Sequence, residues 1–221
     1  MNWSYTFYEK LQNTIGGGKE KMQWYFETYG WPSDLETQSA DSRREYISEL
    51  HKKKSELYMN MIREGEAKMR EGILRVMDEA FEKGYKVAIC SAANAKSVEL
   101  VLKTLLGSER IGKMDLILAG DVVKRKKPDP LIYEIAVERL GVEKEDCVVV
   151  EDSRIGLLAA KGAGLRCVVT YTGYTKSQDF GEADMVVDGL GEGDEEGNGT
   201  NSKALSVEDL FGRKQEEVAA A

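Results

Sequence analysis

The residues most able to do chemistry stand at the ends of apolar runs. Cys147 to Gly164, CVVVEDSRIGLLAAKGAG, places the carboxylates Glu151 and Asp152 and the hydroxyl of Ser153 after a β-branched run. The run reads as a buried parallel strand, and the small-residue segment after it as a helix closed by Gly164. Adjacent carboxylates raise each other's pKa unless a cation relieves them. A hard divalent ion such as Mg²⁺ does so and takes oxygen ligands. A helix N-cap, with Asp152 or Ser153 accepting backbone N–H bonds, fits the same residues. After KVAIC (Lys86–Cys90) comes Ser91-Ala92-Ala93-Asn94. There a hydroxyl, backbone N–H groups and a helix start make either an anion site or a plain cap. After LILAG comes Asp121 to Pro130, DVVKRKKPDP. Its four basic residues read as a solvated loop or a localisation signal. Lys127, beside a Pro-fixed helix start, can also turn back over the sheet edge and neutralise a phosphate and nearby acids. An anion donor, a lysine and an acid pair in this order say more together than any one of them alone.

The elements that must position these groups are legible from period and punctuation. From Glu71 onward helix and strand alternate. Ile73, Val76, Met77, Ala80 and Phe81 recur at helical spacing. Strands are expected at Lys86–Cys90, Leu116–Ala119, the CVVV run, Cys167–Thr170 and Met185–Val187. Helices are expected over Asn94–Leu106 and from Asp129-Pro130 onward, the latter packing Ile132, Ile135 and Ala136. Gly84, Gly107, Gly141 and Gly164 each end a helix that feeds a strand. The class is therefore α/β with a doubly wound parallel sheet, whose ligand belongs beyond the carboxyl ends of the strands. Residues 1–72 show no strand pattern and form an all-helical domain; 73–190 form the α/β domain; 191–221 form a Gly- and acid-rich mobile loop, a short helix near Leu205–Phe211 and a fraying end. The aromatics of the first domain read as packing, and His51, on the charged side of its helix, as solvated.

The totals exclude several classes. Thirty-one basic residues against 39 acidic give a net charge of −8, which argues against nucleic acid or an anionic membrane as partner. No run reaches the ~18 apolar residues of a membrane helix, and the first residues resemble neither a signal nor a transit peptide. A soluble, intracellular protein is expected. Cys90, Cys147 and Cys167 lie in apolar runs and read as buried, reduced thiols. Asn2-Trp3-Ser4 and Asn198-Gly199-Thr200 read as chance sequons.

The order Ser91, then Lys127-Pro128, then Glu151-Asp152-Ser153 resembles motifs two, three and four of the haloacid dehalogenase-like (HAD) hydrolases. The likeness is closer still to the CbbY-like sugar-phosphate phosphatases. It extends through IGGGKEKM at 15–22, GW-P at 30–32, GDVVKRKKPDP at 120–130 and TGYT at 172–175. The resemblance implies a Rossmann-like core, a helical cap, Mg²⁺ and a sugar phosphate or bisphosphate substrate. It assigns the transferring phosphate to Ser91, Ala92 and Asn94, and to Lys127 a bridge between phosphate and nucleophile. It assigns Mg²⁺ to Glu151 and Asp152, and the cap's substrate face to Gly16, Gly17, Gly18 and Lys19. It also suggests a chloroplast stroma location. The family's first motif, a strand ending in D-x-D that carries the nucleophile, does not occur in the chain. The expectation is an N-terminally truncated HAD chain lacking its central first strand, poorly stable and nearly inactive as it stands. A non-catalytic phosphate binder and, for the full-length form, a phosphomutase of the same fold are the alternatives.

Overall fold

A computed structural model of the chain describes residues 4–15, 17–120, 122–191 and 204–212. Gly16, Asp121, the Gly- and acid-rich loop beyond 191 and the end of the chain from 213 lie outside them. The chain divides into two units, Met1–Ala67 and Lys68–Ala221.

The first unit is helical. It comprises α1 (Tyr5–Thr14), α2 (Gly18–Tyr29) and α3 (Ala40–Arg63). Ser4 and Ser39 cap α1 and α3, accepting from Phe7 N and Ser42 N at 3.2 Å. Leu11, Phe26, Ile47 and Ile62 are buried, and Phe26 stacks on Trp31 at 5.0 Å. His51 differs from expectation. Its ring is half-buried and lies where a Cβ on Gly18 would stand, 2.8 Å from that point, so a glycine lets α2 start against it.

The second unit alternates as the pattern predicts. Its elements are α4 (Ile73–Glu82), β1 (Ala88–Cys90), α5 (Ala95–Leu105), α6 (Gly107–Gly112), β2 (Leu116–Leu118), α7 (Leu131–Leu140), β3 (Val148–Glu151), α8 (Arg154–Gly162), β4 (Arg166–Thr170), β5 (Met185–Val187) and α9 (Val207–Phe211). Helix α6 was not anticipated. Gly107 turns the chain with φ +78°, and Ile111 then packs against the Val98–Leu102–Leu106 cluster, so burial extends the helical segment past the glycine. The class is α/β, with a Rossmann-like parallel core and an all-helical N-terminal unit.

Every described strand pair is parallel, but there are two sheets, β1-β2 and β3-β4-β5. The division falls between β1 and β3, where the resemblance leaves a strand unaccounted for. The two sheets share a floor. Leu118 from β2 and Cys167 and Val169 from β4 join one buried cluster with Ile132, Tyr133 and Ala136 of α7 and Leu157, Ala159 and Ala160 of α8. Burial of each large aliphatic side chain contributes ~1.5–3 kcal/mol. The opposite face of β4 is covered through Val76 of α4 and Val207 and Leu210 of α9. Among the described residues no helix is long and apolar enough to cross a membrane.

The open side of β1 can be identified from its bonds. Asp115 N donates to Val87 O at 3.0 Å and Ser91 N to Leu118 O at 2.9 Å. Val87, Ile89 and Ser91 thus turn their backbone groups toward β2, and Ala88 and Cys90 turn theirs away. Amide hydrogen exchange followed by NMR should find Ala88 and Cys90 exchanging about tenfold or more faster than Ile89 and Ser91. Equal protection would mean that β1 has a second strand partner.

Candidate active site

The loop after β1 is built from a cap and two close approaches. Asn94 is extended (φ −66°, ψ 156°) and its Oδ1 accepts from Ser97 N at 3.0 Å, which starts α5. Ala93 N donates to Ser91 Oγ at 3.2 Å. Gly120, past the end of β2, donates its N–H to Ala93 O at 2.7 Å. A Cβ at Gly120 would overlap the backbone of Ala92. Only a residue without a side chain lets the 91–94 loop close over the end of β2. The capping role is thus realised for Asn94, on the same loop that holds Ser91 and Ala92 at the strand end.

Of the four basic residues that follow, Lys124, Arg125 and Lys126 are exposed. Arg125 pairs with Asp129 at 2.5 Å, and Asp129 Oδ1 accepts from Leu131 N at 3.0 Å, fixing the start of α7. Lys127 alone turns inward. Its Nζ donates to Cys90 O at 2.9 Å, to the Tyr133 hydroxyl at 2.9 Å and to Glu151 Oε1 at 2.5 Å. The side chains of the Lys127–Glu151 pair are each only 11% exposed. An ammonium has three N–H donors, and all three have acceptors here.

At the end of β3 the two acids part company. Glu151 faces Lys127 and Tyr133, whose hydroxyl also donates to Glu151 Oε1. A Cβ at Gly156 would overlap the Glu151 carboxylate, so the first turn of α8 passes directly beside it. Ser153 takes the cap, accepting from Gly156 N at 3.3 Å. Asp152 reaches solvent at its surface, yet the surrounding protein desolvates it and, with Glu151, pushes its carboxyl above the usual aspartate value; Arg70 and Lys127 pull the other way.

Arg70 closes the rim. Its guanidinium donates to Thr170 O and Oγ1 at 2.6 and 2.9 Å, to Tyr171 O at 2.9 Å and to Asp188 O at 3.0 Å, at the ends of β4 and β5. Sequence reasoning missed Arg70, Tyr133 and Gly120. Tyr133 had one signal: a phenol on an otherwise aliphatic helix face needs a polar partner.

The second unit therefore gathers Ser91, Ala92, Asn94, Lys127, Glu151 and Asp152 at one rim, the carboxyl ends of β1 and β3. Gly17, Gly18 and Lys19 open α2 in the first unit, where Lys19 Nζ donates to Ser48 Oγ at 3.2 Å; Gly16 lies outside the described residues. Glu151 and Asp152 offer the hard oxygen donors that Mg²⁺ takes, and a dication would relieve the raised Asp152. Among the described residues no group of three or more His, Cys, Asp or Glu is placed to hold a metal ion. Burial pushes the Cys90 thiol up to about 11 and Cys167 up to about 12, so neither is a thiolate nucleophile near neutral pH.

Residues 5–164 match the family described as haloacid dehalogenase-like hydrolase. Two proteins of Arabidopsis thaliana are similar in sequence. A haloacid dehalogenase-like hydrolase domain-containing protein is 50% identical over 190 residues, 84% of this chain and 60% of that protein. A CBBY-like protein is 48% identical over 196 residues, 89% of this chain and 60% of that protein. The chain thus spans 60% of the length of these curated relatives. In structure it resembles CbbY from Rhodobacter sphaeroides in complex with phosphate, with a TM-score of 0.73 and 35% identity over 86% of this chain and 80% of that one. A mutant of that CbbY was solved in complex with xylulose-(1,5)bisphosphate.

The Gly120 contact gives a direct test of how the rim is assembled. Gly120→Ala should destabilise the protein by ~1–3 kcal/mol, because backbone, not a flexible side chain, occupies the Cβ position. Urea unfolding measures this. A change within ~0.5 kcal/mol, the ordinary surface range, would show that the 91–94 loop gives way freely.

Proposed function

The chain belongs to the haloacid dehalogenase-like hydrolase family, and on that premise we propose that it carries the phosphate-holding and charge-balancing part of a Mg²⁺-dependent sugar-phosphate phosphatase. The observation that carries this reading is Lys127, whose buried ammonium stands between the end of β1 and Glu151 on β3, next to the Ser91 loop. The phosphate and xylulose-(1,5)bisphosphate complexes of CbbY support a sugar bisphosphate as the substrate class.

In this reading Ser91 and Asn94, with the backbone at Ala92, hold the phosphate to be transferred. Lys127 offsets the negative charge that grows on the phosphoryl oxygens, an effect strengthened by its removal from water. Glu151 and Asp152 would hold Mg²⁺, which polarises a phosphoryl oxygen when bound. Gly17, Gly18 and Lys19 of the first unit carry the substrate-contact role that the resemblance assigns to them. No attacking group is assigned, since the 221 residues contain no D-x-D. Turnover by this polypeptide is therefore expected to stay near background, and a non-catalytic binder is the same site without the attacking step. A chloroplast location is part of the proposal and rests on the resemblance alone.

Calorimetric titration with xylulose 1,5-bisphosphate, run beside a phosphate-release assay in Mg²⁺, tests the proposal. Binding is expected with release near background, and Ser91→Ala should weaken binding roughly tenfold or more, the value of a hydrogen bond to a charged group. Absence of binding, or an unchanged Ser91→Ala, would overturn the phosphate assignment. Robust Mg²⁺-dependent release would instead place a nucleophile among these residues.

A further inference from the structure

We propose that Tyr133 is a positioning residue of this site: its hydroxyl ties the Lys127 ammonium to the Glu151 carboxylate and so fixes where the positive charge stands. What that charge serves rests on the functional reading above; the tie itself rests on geometry. Tyr133 lies in the first turn of α7, only 5% exposed, within the floor shared by both sheets. Packing there asks only for a ring, and phenylalanine would fill the same space.

The oxygen has a separate purpose. Lysine is donor-only and an ionised carboxylate acceptor-only. The phenol must therefore accept from Lys127 Nζ, at 2.9 Å, and give its proton to Glu151 Oε1. Burial, with Glu151 next, raises the Tyr133 hydroxyl far above its ordinary value, so it remains a neutral donor. The ammonium stands 4.7 Å from the ring centroid, at the hydroxyl end of the ring. Lys127 thus meets Tyr133 at its oxygen, and the 2.9 Å bond accounts for the nearness of the ring.

The three N–H groups of Lys127 go to Cys90 O, Tyr133 and Glu151 Oε1. An arriving phosphate must take one of them. The Tyr133 link is the one to yield, because the phenol keeps its bond to Glu151 afterwards. Tyr133 therefore holds the third ammonium proton in place until an anion claims it.

The test uses the full chain and two variants, Tyr133→Phe and Glu151→Gln. The Lys127 side-chain ammonium is observed by ¹H–¹⁵N NMR, and inorganic phosphate is titrated by calorimetry. The wild type should show a resolved, slowly exchanging Lys127 signal. In Tyr133→Phe its exchange with water should rise several-fold and phosphate affinity should fall several-fold, in a protein that circular dichroism shows to be folded. Glu151→Gln, which weakens Lys127's own carboxylate acceptor as well as the phenol's, should also speed the exchange and marks release of the ammonium. If Tyr133→Phe does not fold, the wild-type Tyr133 hydroxyl proton serves instead, expected as a slowly exchanging ¹H signal if it is held by Glu151 and absent if the tie is not made. Absence of a slow signal in the wild type, or an unaltered signal in the folded variants, would overturn the tie. A signal that responds in a protein that binds no phosphate would keep the tie and overturn the functional reading instead.

Discussion

Lys127 receives no hydrogen bond and gives three, and two of them reach different sheets. Cys90 O is the last carbonyl of β1, and Glu151 is the last residue of β3. These strands are not neighbours in any described sheet. Below them the α7–α8 floor holds both sheets by apolar contact, which is non-directional. At the rim the relation between the halves is set by a buried ion pair, which is directional. Removing one partner of such a pair typically costs ~3–5 kcal/mol, because the other is left charged and desolvated. That is a large share of the ~5–15 kcal/mol that holds a domain folded. Site geometry and stability of the divided sheet thus draw on the same contact.

Asp152 shows the electrostatic side of this arrangement. It stands beside one like charge, Glu151, and within the field of two opposite ones, Lys127 and Arg70. Desolvation, with Glu151 next, raises the carboxyl above the usual aspartate value. A dication at the acids and an anion at the Ser91 loop would each relieve what the other aggravates, and coupling of this kind is reciprocal by thermodynamic necessity. The net charge of −8 says nothing of this; the sign that matters is local.

The strands and the ordered trio were legible because each strand is a short apolar run, with Ser91 directly after one, Glu151 and Asp152 at the end of another, and Lys127 in the loop that follows a third. The helices ended where glycine allowed, apart from α6, which burial of Ile111 supports beyond Gly107. Caps and candidate ligands are interleaved, so residue type alone could not separate them. Asn94 and Ser153 cap while their neighbours Ser91 and Asp152 face the rim. Tyr133 was hidden because helical period reads a ring as core, and the ring is core; only the oxygen differs. Arg70 was hidden because three of its four acceptors are backbone carbonyls. Every residue carries a carbonyl, so such a partner leaves no mark in a sequence. The split of the sheet was legible only through the resemblance.

Cys90 adds a chemical property to the rim. Its carbonyl supports Lys127, while its thiol is held to about 11. Near neutral pH the neutral thiol therefore predominates over the thiolate, the form that attacks peroxide and disulfides. The strand end beneath the lysine therefore presents a weak nucleophile, whose carbonyl serves the site and whose sulfur does not.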